Sequence, residues 1–464
     1  MTLEKRTLNL LPEALEILED GFKGLPQISH SIDLDAIREV LNEVALRMQD
    51  NYPYHHPYYI GQMLKPPHPI ARLAYTLSLW INPNNHALDG GRASSAMEKE
   101  AVAEIAKMFG WETFLGHLCG GGTMANLEAL WISRCLRPGQ KILASQQAHY
   151  THNRICSVLN IPFEYTEVDT NARMDLTSLR KALDKGNVGA VVVTIGTTAT
   201  GSVDPLPEIL RLQESYGFRI HADAAYGGYF ILADNLEAQT RSTYDVMSQV
   251  DSIVIDPHKH GLQPYGCGCV IFRDPSVGTF YKHDSPYTYF SSSELHLGEI
   301  SLECSRPGSS AVALWATQRL LPMVRGGTFA RDLGDCRMAA LKLFNRITSD
   351  SRFLTGLRPE LDIVVWTIRS ESSSESSRLA DEVFEMASRA DLHLAKANLP
   401  MSLFKEVWKD FTWDQDYVTC MRSVLMKSDS LNFLDMIWDI LSKTVDKALN
   451  LSRQAKGEIS SDDN

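Results

Sequence analysis

The chain has 464 residues, 44% of them hydrophobic and 22% charged, with a formal net charge of -12. That length is too great for one simple core and calls for two or three structural domains of an ordinary soluble protein. The acidic balance argues against nucleic acid and anionic membrane surfaces as partners, because both need a basic face.

Residues 1–85 read as a helical segment with a loop. "PEALEILEDGF" and "DLDAIREVLNEVALRMQDNY" carry apolar residues at helical spacing, with Asp33 and Asp35 as candidate caps. The N-terminal twenty residues lack the uninterrupted apolar centre of a signal peptide, and no stretch is long and apolar enough to cross a bilayer. Eight cysteines are scattered without C-x-x-C spacing, and Cys267 and Cys269, within an apolar strand-like run, read as buried thiols, so a reducing cytoplasmic setting is expected. "YPYHHPYYIGQMLKPPHP" (52–69) is too rich in Pro, His and Tyr for one regular element.

Residues 86–330 alternate helices with short apolar strands, among them "KILAS", "AVVVTIG", "FRIHADA" and "SIVIDP". The pattern predicts an α/β domain with a mostly parallel central sheet and helices on both faces. "CGCVIFRD" (267–274) adds a further strand. Residues 331–464 read as a smaller α+β domain, with "SESSSESS" (370–377) as a serine-rich loop and a frayed tail.

Parallel sheets bind ligands beyond the C-terminal ends of their strands. After "FLGHL", Gly120, Gly121, Gly122 and Thr123 open a helix and offer N–H groups to an anion; an ordinary N-cap turn is the alternative. His149 follows "KILAS" and could stack on an aromatic ligand or lie on the surface. Thr197 and Thr198 follow "AVVVTIG". Asp223 stands among alanines in "HADAAYGG", where a carboxylate needs a cation or donors. "DPHKHG" (256–261) places Lys259 after a buried strand, as a nucleophile or as a lysine reaching out to solvent. An anion cradle, a stacking imidazole, a buried carboxylate and an amine together match pyridoxal 5′-phosphate: phosphate, ring, ring nitrogen and aldehyde. No metal site is indicated.

The run "HPYYIGQ", "NPNNHALDGG", "GGGTMANLEAL", "SQQAHY", "GTTATGSVDPL", "HADAAYGG", "DPHKHG", "SRPG", over roughly residues 50 to 325, resembles the pyridoxal-phosphate-dependent group II amino-acid decarboxylases. That group includes glutamate, cysteine sulfinate and aromatic amino-acid decarboxylases. The resemblance implies a fold-type I enzyme that is a homodimer, with active sites at the interface and the N-terminal segment packed on the partner subunit. It implies decarboxylation of an L-amino acid to its amine through an external aldimine and a quinonoid intermediate. By the same resemblance Lys259 is the Schiff-base lysine and Asp223 the partner of the pyridine nitrogen. His149 stacks on the ring, Ala225 packs on its other face, and Thr198 lies near it. Gly122, Thr123 and His258 contact the phosphate. The loop tyrosine that protonates the intermediate corresponds to Tyr289, with Tyr287 and His296 as further candidates. Substrate-binding candidates are Gln62, Tyr59, Arg306 and Arg422, and the expected substrate is an acidic or small polar amino acid. Two departures stand out: Asp256 replaces the family's usual asparagine, and the aspartate of the R-x-x-D pattern is missing after Arg306. Another pyridoxal-phosphate reaction, an aminotransferase or carbon–carbon lyase, and a non-catalytic descendant remain open alternatives.

Overall fold

The computed structural model describes residues 5–26, 28, 31–282, 297–455 and 457. Two helices come first, α1 (Leu10–Asp20) and α2 (Leu34–Met48). Asp33 caps α2 by accepting from the N–H groups of Asp35 and Ala36. Neither helix buries a residue, although both carry apolar side chains. Then follow α3 (Pro69–Ser78), α4 (Arg92–Met108), β1 (Leu115–Cys119), α5 (Gly122–Leu136), β2 (Lys141–Ser145), α6 (Thr151–Leu159), β3 (Phe163–Thr166), α7 (Leu176–Asp184) and β4 (Val188–Thr194). Next come α8 (Leu206–Tyr216), β5 (Arg219–Asp223), α9 (Ala238–Asp245), β6 (Ser252–Ile255) and β7 (Gly268–Phe272).

These seven strands form one sheet in the order β1-β7-β6-β5-β4-β2-β3. All neighbours pair in parallel except at β7, which runs antiparallel to both β1 and β6. β6 is buried along its whole length, and β4 along all but its first residue. Helices cover both faces, so these central strands read as continuous apolar runs rather than alternating ones. The strand expected from "CGCVIFRD" is therefore present, inserted between the first strand and the one that leads to Lys259.

A second sheet follows. Helices α10 (Gly308–Leu320) and α11 (Thr328–Ser349) lead to β8 (Phe353–Leu354), β9 (Ile363–Ile368), α12 (Ser373–Arg389), β10 (Ala395–Pro400), β11 (Tyr417–Val424) and α13 (Leu434–Ala455). The order is β10-β11-β9-β8, antiparallel throughout. The serine run differs from the loop expected. Only its start is irregular, because Ser372 caps the N–H of Glu375 and α12 begins at Ser373. Asp414 fixes that first turn by accepting from the hydroxyls of Ser373 and Ser374.

Two glycines set how closely β1 and β7 approach at the site. Gly121 has φ +142°, which a side chain strains, and a Cβ on Gly268 would lie 2.5 Å from Gly121 Cα. Gly268→Ala is expected to destabilise the fold by ~1–3 kcal/mol through overpacking and to weaken cofactor retention. Thermal unfolding and dialysis of the holoenzyme check both effects.

Candidate active site

Five strand ends converge on one cavity of about 550 Å³. Its lining includes Gly122 and Thr123 after β1, His149 after β2, and Thr198 after β4. It also includes Asp223 and Ala225 at the end of β5, and His258 and Lys259 after β6. The structure thus brings together eight of the residues singled out in the sequence.

The glycine loop lies directly against the lysine segment. A Cβ on Gly121 would meet His258 Cε1 at 3.3 Å, and one on Gly122 would meet Asp256 Oδ2 at 2.7 Å. The free N–H groups at the start of α5 and the Thr123 hydroxyl open onto the same cavity, which suits a phosphate. His258 donates from Nδ1 to the Cys267 carbonyl at 2.9 Å and lies against the Tyr265 ring. Burial lowers its pKa, with Asp256 opposing, so the imidazole is neutral.

Asp223 is buried, and burial alone would raise its pKa. The hydrogen bond and charge of His152, followed by Lys259, outweigh that and hold the carboxyl well below its usual range. His152 Nε2 donates to Asp223 Oδ2 at 2.8 Å, and the Asn126 amide lies 3.4 Å from the same oxygen. Asp223 Oδ1 accepts from the Ala225 N–H at 3.2 Å. Asn126 is fixed in turn by His221, whose Nε2 lies 2.8 Å from its Oδ1. Burial pushes His221 down to about 3, so it stays neutral. A carboxylate held ionised at the cavity wall is the partner that a protonated pyridine nitrogen requires.

His149 is half-buried, and burial, partly offset by Asp223, lowers its pKa. Lys259 Nζ lies 3.1 Å from Asp256 Oδ2. Asp256 Oδ1 is buried and has no hydrogen-bond partner. Amine, carboxylate, imidazole and anion cradle all fit pyridoxal 5′-phosphate: Lys259 for the aldehyde, Asp223 for the ring nitrogen, and the α5 N-terminus with Thr123 for the phosphate.

Gln62, Arg422 and Thr198 also meet. Arg422, from β11, donates through Nη2 to Gln62 Oε1 and through Nη1 to the Thr198 carbonyl at 3.0 Å. Tyr59 joins them through its hydroxyl, which accepts from the Gln62 N–H at 3.3 Å. Arg306 departs from expectation. Its guanidinium is buried against Glu98 at 2.9 Å and the Leu118 carbonyl, and it does not line the cavity. It therefore braces α4 and β1 behind the site instead of reaching a substrate. Tyr289, Tyr287 and His296 lie outside the described residues. His152, Asn126 and Glu303 were not singled out in the sequence. Glu303 Oε2 accepts from the Gly120 N–H at 3.0 Å, and the residue lines the cavity. His152 carries a faint sequence signal, three residues after His149 at the start of a helix.

The fold and this constellation define a fold-type I pyridoxal-phosphate enzyme. Over 96% of this chain and 99% of the other, the fold matches that of Oryza sativa TDC with PLP and tryptamine, with a TM-score of 0.78 and 17% identity. The chain belongs to the pyridoxal-dependent decarboxylase family, whose conserved domain matches residues 124–369. It is 26% identical over 416 residues to an L-tyrosine decarboxylase of Enterococcus faecium, covering 68% of each chain. It is 29% identical over 281 residues to an L-aspartate decarboxylase of Thermococcus kodakarensis, covering 60% of this chain and 71% of that one. The protein is a pyridoxal-phosphate-dependent amino-acid decarboxylase.

Asp223→Asn is expected to lower turnover by ~10²-fold or more, by removing charge stabilisation at the ring. In the apoprotein the substitution also tests linkage. A carboxyl whose folded pKa is depressed stabilises the fold above its ordinary pKa of ~3.9, and that contribution is lost as pH falls through the lowered value. The stability gap between the native chain and Asp223→Asn should therefore be widest at neutral pH and close in acid, as read by denaturant unfolding between pH 7 and pH 2.

Proposed function

We propose that the enzyme decarboxylates an acidic L-amino acid of the aspartate type, with Arg422 receiving the side-chain carboxylate. One observation carries this reading. Arg422 is buried, its Nε has no hydrogen-bond partner, and Nη1 and Nη2 bond to Thr198 and Gln62 beside the cavity. A buried guanidinium with donor capacity to spare suits a carboxylate. The name of the Thermococcus relative points the same way.

Bound pyridoxal 5′-phosphate supplies an aldehyde that exchanges between amines and an electron-poor ring that accepts the electrons left by departing carbon dioxide. The chain's residues do the rest. Asp223, kept ionised by His152, holds a proton at the ring nitrogen. Asp256 Oδ2, 3.1 Å from Lys259 Nζ, would keep the lysine side chain near the reacting carbon when it is not bonded to the aldehyde. Neutral His149 contributes an uncharged wall. Thr123 and the N-terminus of α5 anchor the phosphate.

The enzyme acts as a homodimer in a reducing, cytoplasmic compartment. The apolar faces of α1 and α2 support the first part: Ile17 is 77% exposed, and Leu34, Val40 and Leu41 are at least 60% exposed. Apolar surface of that extent calls for a partner, and a second copy has the complementary face. The eight free cysteines fit the second part.

Carbon dioxide release across the twenty common amino acids tests the substrate. Aspartate or glutamate should give the highest kcat/KM, and a preference for tyrosine would overturn the acidic assignment. Arg422→Met should raise KM for the acidic substrate about 10–100-fold with a smaller change in kcat. Light scattering should give a dimer mass that deletion of residues 1–50 abolishes.

A further inference from the structure

Behind the active site lies a second cavity of about 140 Å³, lined by residues including His55, Lys65, His260, Asp332, Lys427 and Asp429. A single water centre needs only ~10–15 Å³, so the space accommodates a small molecule. Its charges are unusual. Lys427 is buried, and its Nζ donates to the Tyr59 carbonyl at 2.6 Å. Lys65 Nζ donates to the Met426 carbonyl at 3.1 Å. Among the described residues neither ammonium lies within 4.0 Å of a carboxylate, and the carboxylates of Asp332 and Asp429 accept no side-chain hydrogen bond or ion pair. Burial, and then the neighbouring Lys65, lowers Lys427 to about 7. Burial, opposed by Lys65, raises Asp332. Two lysines and two aspartates thus face one space with no ion pair within 4.0 Å between them among the described residues, and for buried Lys427 the lack of a carboxylate is costly unless a ligand supplies one.

We propose that this cavity binds a small zwitterion, a free amino acid, with its carboxylate at Lys65 and Lys427 and its ammonium at Asp332 and Asp429. A simple anion would leave both aspartates facing like charge, and a simple amine would leave both lysines unanswered. The cavity touches the catalytic machinery by two routes. His260 is the residue after Lys259, and its Nε2 lies 3.2 Å from Asp362, which accepts from the Tyr226 hydroxyl at 2.6 Å. Tyr226 lines the active-site cavity. On the other side, Lys427 holds the carbonyl of Tyr59, whose hydroxyl accepts from Gln62, the partner of Arg422.

The test uses holoenzyme reduced with borohydride, in which the Lys259 amine is permanently occupied; mass mapping of that peptide verifies the reduction separately. Each of the twenty common amino acids is titrated by calorimetry at pH 7. At least one should bind with one site per chain. Its amine and its carboxylic acid analogue, each lacking one charged group, should bind at least tenfold more weakly. Lys427→Met and Asp332→Asn should each weaken binding at least tenfold. Asp332 is half-buried without a hydrogen-bond partner, so its variant carries the test should Lys427→Met not fold. Absence of binding by all twenty, binding that Asp332→Asn retains in full, or an acid analogue that binds as tightly as the amino acid would each overturn the proposal.

Discussion

The structure depends on keeping one buried carboxylate ionised. Asp223 ends β5 at the floor of the cavity, where loss of water favours its neutral form. The fold answers with a chain of hydrogen-bonding groups. His152 donates to it from α6, Asn126 supports it from α5, and His221 on its own strand orients Asn126. Remove that chain and burial returns the proton to the carboxyl. A neutral acid cannot hold a proton on a pyridine nitrogen, so the catalytic ring chemistry rests on this arrangement rather than on Asp223 alone. The supporting residues sit on elements that also pack the sheet, so site and core are one construction.

The second constraint is close approach. An anion cradle works only if backbone N–H groups reach the phosphate, and that requires glycines where other strands press in. Gly121 is wedged between Gly268 of β7 and the His258 ring, and Gly122 against the Asp256 carboxylate. The antiparallel insertion of β7 between β1 and β6 brings these segments together.

Much of this was legible in the sequence, and the reasons are physical. Buried parallel strands are apolar runs, and their ligand-binding residues follow immediately, so Lys259, Asp223 and the glycine loop each announce themselves by contrast. The position of β7 was not legible, because chain order does not specify neighbour order in a sheet. The serine run misled because serines favour both loops and helix starts, and Asp414, which decides between them, lies 41 residues from Ser373. Arg306 misled for a similar reason. Its partner Glu98 is 208 residues away, and nothing local marks the pair. His152 and Asn126 act through helical spacing onto a shared target, a pattern with no motif of its own.

Asp256 shows how a departure can be read once geometry is known. A carboxylate beside a phosphate cradle would weaken anion binding if it pointed there. Its Oδ2 lies against Gly122 at the edge of the cradle but also faces Lys259 at 3.1 Å, with His258 Nε2 at 3.5 Å. An ammonium on Lys259 needs a counter-charge in a site of low dielectric, and an asparagine would supply only a dipole. An aspartate supplies the charge. The phosphate then depends more heavily on neutral donors, the α5 N-terminus, Thr123 and His258, than on any cation. The residues around it agree with that division: burial lowers the pKa of His258, and no lysine or arginine besides Lys259 lines the cavity among the described residues.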